Sequence, residues 1–265
     1  MSYLIIKKIN FETAVFFIIG LLSVEIILTT RALNEIIDFI IAISASIAIL
    51  LKKDTNKNVG VVFFIVGSVT SFMDLLTEPL ITLGLPLIIY MLLMQKQRRA
   101  IKHDLIDFAK ICFLWGMGYG LTWLMKWILV SLIYNRDIIH NALQQAKFRS
   151  TGMKQYGYFT VVRKNFEFLS SFAISINLAL VIIYSIIKLI KNRNGKINIK
   201  QNLYTTIPFI CLGILPFIWY LALRQHSYIH TFFTYKILII TIFIIVDKIL
   251  EPENKGNENE RRKDY

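Results

Sequence analysis

Eight apolar runs, at about 13–29, 35–51, 59–76, 79–94, 111–134, 169–190, 203–223 and 229–247, fill most of this chain. Each is about as long as a helix needs to cross a hydrocarbon core of roughly 30 Å at 1.5 Å per residue. A soluble domain could not hide them all. With 55% hydrophobic residues and a mean hydropathy of +0.57, the 265-residue chain has too little polar surface to cover one core. Lipid removes that requirement, because the outside of a bundle can then be as apolar as its inside. The expected fold is an all-α polytopic transmembrane bundle of about eight spans, a single domain over residues 1–250.

The net charge of +13 raises nucleic acid as a partner. The basic residues instead punctuate the apolar runs, so no nucleic-acid role is expected and topology accounts for them. Counted in alternate connections, 20 of the 30 Lys and Arg fall on one side, including Lys7, Lys8, Lys52, Lys53, Lys102 and Lys110. The positive-inside rule then places both termini in the cytoplasm, and the Ile, Lys and Asn bias fits an AT-rich bacterial genome, so the expected location is a bacterial plasma membrane, crossed many times. The first run follows Lys7 and Lys8 as in a signal peptide. Glu25 interrupts it and no small-residue cleavage site follows, so it reads as a retained anchor. Residues 95–110 read as a basic interfacial helix. Residues 135–168 form a long external loop, helical at first, turning at Gly152 and then aromatic. The tail 251–265 is polar without periodicity and is expected to be a disordered cytoplasmic segment. Cys112 and Cys211 both lie in apolar runs and do not point to a disulfide framework.

Charges in spans cost roughly 2.5–3.5 kcal/mol each at a helix centre on insertion scales, so their positions carry information. With this topology Glu25, Arg31, Glu35, Asp38, Asp74, Glu78, Lys126, Arg136, His140, Arg224, His226, His230 and Lys236 gather at the external end. Asp74 and Glu78, four residues apart, are expected on one helical face, with Pro79 opening the next span. They are candidate catalytic carboxylates, as general base or metal ligand, or else an ordinary acidic turn. His226 and His230 share a helical face if the turn there is helical, the spacing of a metal pair. A third ligand is not evident, so no metal or other cofactor is assigned. The alternatives are two interfacial histidines, or an anion site in which Arg224, His226, His230 and Lys236 are donors. Lys126, between Trp123 and Trp127, either snorkels to the interface or faces the bundle to pair with Asp74, Glu78 or a phosphate. Gly116, Gly118 and Gly120 read as a close helix contact, because the strand–loop–helix setting of a nucleotide loop is absent.

SFMDLLTEPLITLGLPLIIY at 71–90, GYGLTWLMKWILVSLI at 118–133 and HSYIHTFFTYK at 226–236 resemble uncharacterised bacterial multi-pass proteins of surface-polysaccharide gene neighbourhoods. Those proteins resemble membrane glycosyltransferases of the GT-C type, and this chain resembles a shortened relative. The resemblance implies a membrane enzyme that takes a sugar from a polyprenyl-phosphate donor at the outer face. In such enzymes the acidic catalytic residue lies in the first external loop, which here runs only from Arg31 to Glu35. The expected roles are therefore Asp74 or Glu78 as catalytic base, with Lys126, Arg224, His226, His230 and Lys236 holding the donor phosphate. The alternatives are a transporter or flippase, or a non-catalytic accessory membrane protein.

Overall fold

The computed structural model describes residues 1–74, 76–97, 101–151, 156–169, 179, 183 and 199–250, with backbone only at 199–205, 246 and 248–250. The run at 169–190, the turn at Gly152 and the tail lie outside the described residues, apart from a few positions. What is described is all helix and connection, with no strand among the described residues. The elements are α1 (Ser2–Lys8), α2 (Phe11–Ser23), α3 (Ile26–Thr29), α4 (Leu33–Leu51), α5 (Val59–Met73), α6 (Leu80–Gln95) and α7 (Ile101–Tyr134). They continue with α8 (Ile138–Thr151), α9 (Tyr158–Leu169), α10 (Ile199–Ala222), α11 (Arg224–Ile229), α12 (Thr231–Thr234), a 3-10 turn (Tyr235–Leu238) and α13 (Ile239–Leu250).

Local chemistry sets the boundaries. Asn10 caps α2, its side-chain oxygen accepting the Thr13 N–H at 2.6 Å. The first apolar run does not stay one helix. Glu25 takes a left-handed conformation (φ 54°), so α2 stops at Ser23 and α3 turns in a new direction. Residues 101–110, expected as a separate interfacial helix, are continuous with the apolar run after them, because no helix breaker stands at the junction. The resulting 34-residue α7 is about 51 Å long at 1.5 Å per residue, well beyond a hydrocarbon core. α4 and α7 are the two described helices long and apolar enough to cross a membrane by length and composition. Phe11–Ser23, Val59–Met73, Leu80–Gln95, Thr206–Ala222 and Thr231–Ile245 are apolar and shorter.

The core forms around α6, in which every residue from Leu80 to Leu92 is buried. A helix that is apolar on all sides has no solvent face and belongs in the middle. α4, α5, α7, α10 and α13 surround it. α5 and α7 meet backbone to backbone. A Cβ on Gly67 would lie 2.1 Å from the Trp115 carbonyl oxygen, and one on Gly118 would lie 2.1 Å from that of Phe64. Gly118 is therefore the close contact expected from the glycine pattern, while Gly116 and Gly120 face open space. The outer surfaces are apolar, with Phe72 (69%), Phe113 (64%), Leu132 (74%) and Ile133 (73%) exposed. α8 and α9 fold the 135–168 connection over α11, so it is a cover on one end of the bundle.

Candidate functional site

α5 ends at Met73, and Asp74 leaves it with extended backbone (ψ 139°). Asp74 and Glu78 are consequently not stacked on one helical face. The cause is local: Asp74 Oδ1 accepts the Thr77 N–H at 2.7 Å, an alternative to continuing the helix, and Pro79 disfavours helical backbone at Glu78. Leu76 completes the turn with φ 67°, a strained value for a leucine. The turn is held from outside by His226, whose Nε2 bonds the Leu76 carbonyl oxygen at 2.7 Å. With a carbonyl as partner, Nε2 carries the proton.

The turn delivers both carboxylates into a buried setting with a third, Asp38 on α4. Asp38 and Glu78 have no exposed surface and Asp74 has 4%. Thr77 knits them together. Its Oγ1 lies 2.5 Å from Asp74 Oδ1, 3.1 Å from Asp38 Oδ2 and 3.2 Å from the Asn34 carbonyl oxygen. The Glu78 N–H donates to Asp38 Oδ2 at 3.3 Å, and the Asp38 carboxyl lies within electrostatic reach of Asp74. Asp38 Oδ1, Asp74 Oδ2 and both Glu78 carboxyl oxygens are buried without a hydrogen-bond partner. Beneath them runs a polar thread in which Thr70 Oγ1 donates to Thr82 Oγ1 at 2.8 Å and Trp115 Nε1 donates to the same Thr82 oxygen at 3.1 Å.

The cations are disposed around this core. Lys236, 4% exposed, forms an ion pair with Glu35, and Tyr235 Oη donates to Glu25 Oε2 at 3.1 Å. Lys126 is half-buried, donates to the Ser71 carbonyl oxygen at 2.6 Å and lies 5.8 Å from the Phe72 ring centre. It also lies within electrostatic reach of Asp74. Arg224 stacks on Tyr158 of α9, 4.7 Å from the ring centre. His226 and His230 face each other with ring centres 4.7 Å apart, as the helical spacing requires. Among the described residues no group of three or more His, Cys, Asp or Glu converges to hold a metal ion. A cavity of about 170 Å³ is lined in part by Glu25, Glu35, Tyr235 and Lys236.

Burial raises the Glu78 carboxyl well above the usual carboxylate range; Lys236 opposes this, while Asp38, Glu35 and Asp74 reinforce it. Burial also pulls the His226 imidazole down to about 4, against the Leu76 hydrogen bond and with help from His230 and Arg149. His226 is therefore a neutral latch rather than a cation.

Of the sequence candidates, Asp74, Glu78, His226 and Lys236 meet in one buried network, with His230 beside it. Lys126 joins at the flank through Ser71, and Arg224 lies under the α9 cover. Asp38, Glu35, Thr77 and Tyr235 belong to the same network and are not among those candidates. Asp38 and Glu35 share the external end with the candidates, which was their only signal. Comparison of the chain with protein-family models, curated proteins and solved structures finds no match.

Proposed function

We propose that this chain is a bacterial plasma-membrane protein of about eight spans with both termini cytoplasmic. We further propose that it works in cell-envelope polysaccharide assembly, as a glycosyltransferase on a polyprenyl-phosphate-linked sugar. Membrane residence is supported by the exposed apolar faces of α5 and α7, which would be an aggregation hazard in water. The observation that carries the chemistry is the set of buried, unpartnered carboxyl oxygens on Asp74 and Glu78, with the buried Lys236 within electrostatic reach of Glu78. A carboxylate held away from water is a strong base toward an acceptor hydroxyl. In the proposed step Asp74 or Glu78 accepts that proton as the hydroxyl oxygen attacks the sugar's anomeric carbon. The lipid phosphate departs toward Lys236, Arg224 and Lys126, with His230 as a further donor, while His226 spends its one N–H on the Leu76 carbonyl and holds the turn.

Asp74→Asn and Glu78→Gln should each abolish glycan transfer while leaving membrane insertion intact. Wild-type glycan output from both variants rejects the catalytic assignment. One observation favours a second reading, a transporter: the buried carboxyls outnumber the buried lysine that faces them. Solute movement across vesicles containing the purified protein, with no glycan product, would select it.

A further inference from the structure

A larger cavity, of about 320 Å³, opens where α5 begins and α6 nears its end. Asp74 and Glu78 stand at the opposite ends of those helices, so this space has no part in the chemistry proposed above. Its volume is within the range of small-molecule pockets. One wall is polar. Tyr90 of α6 is buried, and its Oη lies 2.8 Å from Asn56 Oδ1 and 2.9 Å from Asp107 Oδ2, which holds all three groups together at the cavity. Lys110 of α7 is exposed, and its stem crosses the first turn of α5, where its Cε would lie 3.9 Å from a Cβ on Gly60. Glycine keeps that space open, since the same Cβ would lie 2.5 Å from Leu114 Cδ1.

Both signs of charge face this cavity. Asp107 stands three residues before Lys110 on α7, and both line it. α5 adds donors beside Lys110: Asn58 makes no side-chain capping bond, and the N–H groups of Gly60 and Val61 have no acceptor among the described residues. A lysine and the positive end of a helix then share one space, which an anion between them would relieve. The grading of the lining is a separate observation. α5 and α7 run in the same direction, because Gly60 meets Lys110 and Leu114 while Phe64 meets Gly118. Along both helices, away from Asn58 and Asp107, the lining becomes Val61, Ile111 and Leu114. Just beyond, Ile65 and Phe113 are exposed. The cavity has a charged end and an apolar end that runs on to the apolar outer surface. That is the layout of an amphiphile.

We infer that this cavity holds one phospholipid of the cytoplasmic leaflet whose head group carries a primary amine as well as its phosphate. The phosphate sits against Lys110 and the N–H groups of Gly60 and Val61, as anions sit in basic pockets between membrane helices. The ammonium donates to Asp107. The acyl chains leave past Leu114 onto the outer faces of α5 and α7. A trimethylated ammonium has no N–H to donate, and a glycerol head group has no positive charge, so neither matches Asp107. The site rests on the membrane residence proposed above and is independent of glycan transfer.

Native mass spectrometry of the full-length protein, extracted from its membrane in detergent, tests this. The protein is offered equal amounts of phosphatidylethanolamine, phosphatidylglycerol and phosphatidylcholine with the same acyl chains. One phosphatidylethanolamine should be retained per chain, several-fold above either competitor. Lys110→Gln should lower that retention several-fold, and Asp107→Asn should erase the preference over phosphatidylglycerol. Lys102→Gln, on α7 but outside the cavity lining, should change neither. Soluble phosphoethanolamine in large excess should leave the lipid bound, because the chains hold it too; complete displacement overturns a lipid ligand. Equal retention of the three lipids, or retention unmoved by Lys110→Gln, marks surrounding bilayer lipid only and overturns the site alone. Recovery of the protein from the soluble fraction rejects membrane residence and the site with it.

Discussion

The contact between α5 and α7 can be tested by adding one methyl group. In Gly67→Ala the new Cβ would lie 2.1 Å from the Trp115 carbonyl oxygen and 3.0 Å from the Tyr119 nitrogen. Ordinary contact begins near 3.4 Å, so the helices must part by about 1.3 Å at the crossing. The obstacle is backbone, which cannot rotate away as a side chain can. Overpacking of this kind costs about 1–3 kcal/mol, while alanine in place of glycine returns about 1 kcal/mol of helix propensity. Gly67→Ala and Gly118→Ala should thus lose up to about 2 kcal/mol each. Gly116→Ala and Gly120→Ala meet nothing within 4 Å and should be neutral or up to about 1 kcal/mol more stable. Denaturation of the detergent-solubilised protein with increasing SDS, followed by circular dichroism, measures all four. Equal stability of Gly67→Ala and Gly116→Ala would refute the crossing described here.

Three other outcomes are expected. The Glu35–Lys236 pair is buried, so Lys236→Ala should destabilise by about 3–5 kcal/mol by leaving a carboxylate uncompensated. Adding Glu35→Gln to that variant should recover much of the loss, and an additive double-mutant cycle would contradict the pairing. For His226 the sign follows from its lowered value: the unfolded chain protonates first, near 6.5, and the folded protein only near 4. Relative to His226→Gln, which keeps a donor for Leu76, the wild type should lose stability as pH falls between those values, by about 3 kcal/mol in total, and show no difference above pH 7. Cysteine labelling should report positions 55, 100 and 195 as cytoplasmic and 33 and 150 as external; one reversal between neighbours would remove a span.

The helical fold was legible because apolar run length and charge placement are properties of the chain itself. The crossing at Gly118 was legible for the same reason: only small residues permit backbone contact. The cluster was half legible. Asp74, Glu78, His226 and Lys236 share one end of the sequence pattern, but depth along a helix does not say which way a residue faces. Asp38 sits in an apolar run and Thr77 has no charge to draw notice, and their roles depend on the turn at Leu76. That turn was misjudged because a fixed four-residue spacing presumes continuous helix, whereas the Asp74 side chain competes for the Thr77 N–H. The break at Glu25 was hidden likewise, since nothing in its neighbours demands a left-handed residue.

The enclosure of α6 also has a bearing on biogenesis. Gly84 on α6 receives Ile240 of α13, whose Cδ1 would lie 2.3 Å from a Cβ there. The ribosome delivers α6 well before α13, so this groove stays open to lipid or to the insertion machinery while about 145 further residues are made. Closure of the bundle then waits on its last helix. Gly84→Leu should leave insertion of the early helices untouched and fail afterwards, when α13 arrives to find its seat occupied. Defects at this position would emerge as degradation of full-length chains rather than as loss of nascent ones.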